Sequence, residues 1–175
     1  MMNATTDCFV TLRPWTKADL TSLVENANNV NVWNGMRDSF PNPYTEKDGR
    51  FFLRMVAKRT ILPLEFAIVV EGKAVGGIGL KMQRARPPLI AEIGYWLGEP
   101  YWSKGIMTKA VNLVTGYAFQ YLKLREIEAY VLEYNKASMQ VLMKAGFKYD
   151  GLHYETVRKK GQIVYFHIFS ILSKE

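Results

Sequence analysis

Glu92 stands inside an apolar, period-two run at residues 91–97, where a charge needs solvent, a cavity or a partner. The alternation places Ala91, Ile93, Tyr95 and Leu97 on one face and Glu92, Gly94 and Trp96 on the other. Gly94 therefore leaves room beside the carboxylate. Shortly after, Trp102-Ser103-Lys104-Gly105-Ile106-Met107-Thr108 joins this run to a long amphipathic segment. A glycine-containing loop that opens a helix presents N–H groups without intrahelical partners at the positive end of the helix dipole, the arrangement that binds anions. Gly105 permits close approach of the backbone to a phosphate, and Lys104 adds a charge. A lone glycine ahead of a helix is ordinarily only a turn, so the surroundings must decide. His153 and His167 have the reference pKa of ~6.5 that suits proton transfer, but on the last two strands they read as sheet-packing residues. With Cys8, the two histidines lie too far apart to show metal-ligand spacing, and no metal is expected.

The elements that must position these groups follow from periodicity and punctuation. Residues 8–13 alternate as a first strand, which Pro14 is expected to end, with Cys8 a small buried hydrophobe in it. Thr16, with Asp19 three residues on, opens a helix running to about Ala27. Residues 26–43 are rich in Asn, Gly and Pro and read as a loop. Thr45 caps a second helix with Phe52, Met55 and Val56 on its apolar side. Residues 65–71 and 74–82 are strands joined at Gly72-Lys73, and a loop with Arg84, Arg86, Pro87 and Pro88 leads to the strand of Glu92. The following helix carries the stripe Ile106, Ala110, Leu113, Val114, Tyr117, Ala118 and Tyr121. A strand at 126–132 comes next. Asn135 then caps a short helix that Gly146 closes, and two antiparallel strands around the basic run Arg158-Lys159-Lys160-Gly161, read as an exposed hairpin turn, finish the chain. The order β-α-α-β-β-β-α-β-α-β-β gives one mixed α/β (α+β) domain over residues 1–175.

Composition bounds the partners. The 175 residues include 23 Lys+Arg against 16 Asp+Glu, a net charge of +7 that favours phosphate-bearing or other anionic partners. Apolar runs are too short to cross a bilayer, the start lacks a signal-peptide pattern, and a single cysteine fits a reducing compartment, so the cytoplasm is the expected location. A homodimer is left open.

Taken together, Glu92-Ile-Gly-Tyr-Trp-Leu, Pro100-Tyr-Trp-Ser-Lys-Gly-Ile, Asn135-Lys-Ala-Ser138 and Ala145-Gly-Phe147 resemble the GNAT acetyltransferase superfamily in its RimJ/RimL-type branch, as does Leu12-Arg13-Pro14-Trp15. The resemblance implies a central, mostly antiparallel sheet of about seven strands with about four helices, splayed at the fourth strand. It implies acetyl-CoA as cosubstrate, with Lys104, Gly105, Ile106, Met107 and Thr108 around its pyrophosphate, Trp96 and Leu97 along its pantetheine arm, and Asn135 beside it. Direct transfer to an amine follows, with a backbone N–H near Trp96 and Leu97 for the oxyanion. Glu92 is the expected base, and Arg37, Phe40 and Tyr44 the acceptor-side residues. Two departures stand out. Met107 occupies a position where the family has Gly or Ala. Leu142 occupies the position of the Tyr that protonates the thiolate in many members, which leaves Ser138, one turn from Asn135, as the candidate acid. The branch suggests a protein N-terminal amine as acceptor; other relatives modify small amines, and a charge of +7 argues against polyamines.

Two other readings compete. A basic nucleic-acid or ribosome-associated binding module suits the charge and the 13% aromatic content, but the aromatics sit at core spacings and no RNP or zinc-finger pattern is present. A CoA-binding relative without turnover suits Leu142 and Met107.

Overall fold

The computed structural model describes residues 9–57, 62–83 and 89–174, with only the backbone for residues 154–157. Its seven strands form one sheet in the order β1-β2-β3-β4-β5-β7-β6, with β1 Val10–Pro14, β2 Glu65–Val70, β3 Lys73–Met82, β4 Ile90–Leu97, β5 Glu126–Leu132, β6 Lys148–Lys159 and β7 Gln162–Leu172. Every adjacent pair is antiparallel except β4 and β5. Pro14 lies inside β1 rather than beyond it; β1 is an edge strand, where a missing N–H costs no ladder bond. Cys8 and the loop at Arg84, Arg86, Pro87 and Pro88 lie outside the described residues.

Among the described residues five helices surround the sheet, one more than expected: α1 Leu20–Ala27, α2 Val30–Asn34, α3 Glu46–Ala57, α4 Ile106–Gln120 and α5 Lys136–Lys144. The addition is α2, inside the stretch that reads as a loop. Asn29 caps it, its side-chain oxygen accepting from the amides of Asn31 and Val32 at 2.8 and 3.1 Å. A 3₁₀ turn at Lys17–Asp19 leads into α1, where Thr16 and Asp19 bond reciprocally as a capping box. Thr45 and Asp48 repeat the device ahead of α3.

The larger core packs α4 against β2, β3, β4 and β5, with Ile68, Ile78, Leu80, Ile106, Val111, Val114 and Ile127 almost fully enclosed. The buried face of α4 is rotated from the expected stripe. Leu113 and Tyr121 are exposed, and Met107 and Val111 are buried in their place. A second core under α1 and α3 joins Trp15, Leu23, Tyr44, Leu53, Ala67 and Val69. The two cores occupy opposite faces of the sheet, as the alternation along β2 requires. Among the described residues, no helix is long and apolar enough to cross a membrane.

A split sheet beside an uncapped helix: the candidate active site

The parallel contact between β4 and β5 lasts three pairs, Ile90–Glu126, Ala91–Ile127 and Glu92–Glu128, and then ends. Residues 93–97 keep their antiparallel partners on β3 but have none on β5. The Gly98 amide donates to Val75 O at 2.8 Å, so by the alternation of an antiparallel ladder the amides of Tyr95 and Leu97 point away from β3, toward the gap. The gap opens into a cleft of about 1340 Å³ lined by β4, the loop after it, α2 and its sequel, and α5.

At one end of the cleft, residues 102–108 carry the turn into α4. Gly105 is the N-cap with φ 73°, a left-handed conformation open to glycine, and a Cβ there would meet nothing within 4 Å. It has no side chain to cap with, and the first intrahelical bond is Lys109 N to Gly105 O, so the amides of Ile106, Met107 and Thr108 precede the ladder. This 15-residue helix thus presents its positive end to the cleft without a capping side chain. Met107, the residue that departs from the family pattern, is 8% exposed and turned into the core, so its bulk does not fill the mouth of the loop. Trp102 pins the loop to the end of β4, its indole N–H donating to Leu97 O at 2.7 Å. The Lys104 ammonium lies 5.8 Å from the centre of the Tyr101 ring. Glu99 ties this loop to α2, accepting from Asn29 and Asn31 at 2.7 and 2.9 Å. These donors, this open turn and the strand gap fit the pyrophosphate and pantetheine of acetyl-CoA.

The wall on the α1 and α2 side holds Glu92. Its carboxylate accepts from the Arg37 guanidinium at 2.8 Å, and that guanidinium lies 5.0 Å from the centre of the Phe166 ring on β7. Two residues proposed from sequence for different tasks therefore form one ion pair. A Cβ on Gly94 would meet nothing within 4 Å, so the space beside Glu92 is open. The segment bearing Arg37 is anchored at both sides. Lys159, in the turn that reads as exposed, is 4% exposed; its ammonium donates to Trp33 O at 3.0 Å, pairs with Asp38 at 2.9 Å and sits 3.6 Å from the Trp33 ring centre.

Phe40 and Trp96 line the cleft with ring centres 6.0 Å apart, and Gly77 makes room for the Trp96 indole, since a Cβ there would lie 2.7 Å from its nitrogen. Tyr44 stacks on Phe40 at 5.2 Å but is itself 5% exposed, with desolvation pushing its phenol up to about 12. It is first a packing residue.

On the opposite face, Asn135 caps α5 by accepting from the Ser138 amide at 3.1 Å. Its side-chain amide reaches Gly35 O at 3.5 Å, which joins α5 to the end of α2. Ser138 lies on the cleft wall, and its Oγ is 2.8 Å from the Tyr95 hydroxyl. Leu142 is fully enclosed in the core. His153 and His167 lie away from the cleft lining: His153 packs edge-on against Tyr130, and His167 Nδ1 shares a 3.0 Å hydrogen bond with the Tyr149 hydroxyl.

Two features escape a reading of the sequence. Tyr95 belongs by alternation to the core face, and only the chain's path brings Ser138 to its hydroxyl. Glu128, directly beside Glu92 in the β4–β5 register, is 7% exposed and accepts from Gln83 at 2.6 Å and from the Tyr130 hydroxyl at 2.9 Å. Desolvation, the bond to Glu128 and the charges of Glu128 and Glu92 push the Tyr130 phenol up to about 12. The one available signal for Glu128 is a second charge at the middle of a strand.

Comparison with known proteins gives the same picture. The family model for the acetyltransferase (GNAT) domain matches residues 10–148. A Bacillus subtilis protein named "Probable N-acetyltransferase YjcK" is 45% identical over 85 residues, 49% of this chain and 47% of that one. "Uncharacterized N-acetyltransferase p20" of Bacillus licheniformis is 34% identical over 115 residues, 63% of this chain and 62% of its own. The chain thus spans about half to three fifths of the curated relatives it matches. In three dimensions it resembles Mycobacterium smegmatis RimJ in complex with CoA-disulfide, with a TM-score of 0.81 at 22% identity over 94% of this chain and 82% of that one. The three-pair β4–β5 contact, the glycine-opened α4 and the matched span agree, and this chain belongs to the GNAT acetyltransferase family.

Proposed function

We propose that this chain is an acetyl-CoA-dependent N-acetyltransferase of the RimJ/RimL type, which acetylates a primary amine, with a protein N-terminal amine the preferred class. The observation that carries this reading is the strand gap: it begins at Glu92, ends at the uncapped N-terminus of α4 and is bordered on its other face by Ser138. The CoA-disulfide held by the structurally similar RimJ supports the choice of cofactor.

Acetyl-CoA, when bound, supplies an activated acyl thioester. The amides of Ile106, Met107 and Thr108 and the Lys104 ammonium would hold its pyrophosphate at the positive end of α4. The Tyr95 and Leu97 amides, turned toward the gap, would hold the pantetheine arm and supply donors for an oxyanion. Glu92 takes the proton from the acceptor ammonium, directly or through water in the space beside Gly94. Arg37 keeps the Glu92 carboxylate aimed into the cleft. Arg37, Phe40 and the exposed edge of Trp96 contact the acceptor, while Tyr44 supports Phe40 from below. Ser138, on the cleft wall at the other face, would supply the proton to the thiolate, so base and acid stand on opposite faces of the sheet.

The test is thiol release from acetyl-CoA in the presence of a panel of amines that includes peptides with free N-termini. Release that requires an amine, with the acetyl group on the peptide's terminal nitrogen by mass spectrometry, is the expected result. Binding without release on any amine would favour a relative without turnover, and salt-sensitive RNA binding without CoA binding would favour a nucleic-acid module.

A further inference from the structure

The family's usual phenol on the helix after Asn135 is replaced here by Leu142, which is fully buried and carries no proton. A phenol reaches the same helix from elsewhere. Tyr95 rises from the unpaired half of β4, and its hydroxyl lies 2.8 Å from Ser138 Oγ and 3.4 Å from Ser138 O. Both residues line the cleft. The carbonyl contact is at the limit of a hydrogen bond and the hydroxyl contact is short, so the Tyr95 proton is best used on Oγ. A serine oxygen that accepts from Tyr95 must direct its own proton elsewhere, and the open direction is the cleft.

We infer that Tyr95 is the positioning residue for Ser138: it donates to Ser138 Oγ, turns the serine proton toward the sulfur of CoA, and resupplies that proton during turnover. The inference rests on the acetyltransferase reading given above. As the carbon–sulfur bond breaks, the electron pair goes to sulfur and the Ser138 proton follows it. Ser138 Oγ takes the Tyr95 proton, and the phenolate recovers one from water in the cleft. The amine's proton leaves separately on Glu92 and, passed on to solvent, neutralises the hydroxide left when water reprotonates Tyr95, so charge and atoms balance. Desolvation pushes the Tyr95 phenol well above its ordinary value, so it rests protonated, as the hydrogen bond to Oγ requires, and its phenolate forms only in passing. Chained hydroxyls strengthen one another as donors, so Ser138 backed by Tyr95 is a better acid than Ser138 alone.

Tyr95→Phe removes one oxygen and keeps the ring. Relative to the wild type, kcat is expected to fall about tenfold and that of Ser138→Ala about a hundredfold, with KM for acetyl-CoA unchanged. The double variant should be no slower than Ser138→Ala alone, because Tyr95 acts only through the serine. A readout independent of turnover is the ultraviolet absorbance of the thiolate of bound CoA, followed against pH with CoA-free protein as the blank. Loss of Tyr95 should move ionisation of the bound thiol to higher pH, since a donor to sulfur favours the thiolate. Melting curves confirm that each variant is folded. An unchanged kcat for Tyr95→Phe, multiplicative losses in the double variant, or an unmoved thiol titration would each overturn the role given to Tyr95 and leave the enzyme reading intact. A wild type that binds CoA but turns over no amine would overturn that reading and this inference with it.

Discussion

The two ends of the cleft are built from different material. The loop at residues 102–108 works through backbone: a left-handed glycine, amides ahead of the first helical bond, and a methionine that buries its side chain elsewhere. The wall around Glu92 works through side chains drawn from distant segments: Arg37 after α2, Phe166 on β7, and Lys159 holding the whole segment through Trp33 and Asp38. A backbone site tolerates substitutions that keep its dihedrals, which is why Met107 can stand where the family has Gly or Ala. A side-chain wall changes with each residue, and it is where the proposed function puts acceptor choice.

Substitutions should separate the two regions. The largest effect is expected from Glu92→Gln, which preserves shape and removes the proposed base: amine-dependent thiol release should fall about a hundredfold or more with acetyl-CoA affinity unchanged. A comparable loss of affinity would mean that the two ends are not independent. Gly105→Val reverses the pattern. A β-branched residue at φ 73° is strained by about 1–2 kcal/mol, and acetyl-CoA affinity measured by titration calorimetry should drop about tenfold or more. Arg37→Met should raise KM for the amine several-fold and leave acetyl-CoA affinity alone, as steady-state kinetics with each substrate varied will read.

How much of this is legible in the sequence follows the same division. The order of elements along the chain and the glycine loop ahead of α4 can be read because alternation and glycine are local signals; the gap at the fourth strand follows only from the resemblance to the GNAT superfamily. The helix α2 is missed because the asparagine that caps it also looks like loop composition. The burial of Lys159 is missed because a basic turn ordinarily projects into water, and only Trp33 and Asp38, more than a hundred residues earlier, draw it in. Glu92 and Arg37 are both picked out, but their pairing joins residues 55 apart, and no local pattern encodes it. Tyr95 is assigned to its face, but its place on the cleft wall is not legible, because a face next to a splayed strand is part core and part cleft.

A smaller effect lies outside both regions and calibrates them. Asp19 is 6% exposed and takes two hydrogen bonds of 2.7 Å from the Arg13 guanidinium. Those bonds, with further donation from Thr16, hold its carboxyl below the ordinary range. A depressed folded-state pKa adds stability that is complete above the unfolded value of ~3.9 and is lost as pH falls from there through the folded value. Asp19→Asn should therefore lower stability by about 1–3 kcal/mol at neutral pH and flatten the acid limb of the melting-temperature profile, without changing acetyl-CoA affinity or the amine's KM.

Titration calorimetry of the protein with acetyl-CoA, run side by side on the wild type and Gly105→Val, tests the central claim most directly. Micromolar binding to the wild type that is weakened at least tenfold in a folded Gly105→Val variant is the predicted result. An absence of binding to the wild type, or equal binding to both, would contradict the assignment of the cofactor to the turn that opens α4.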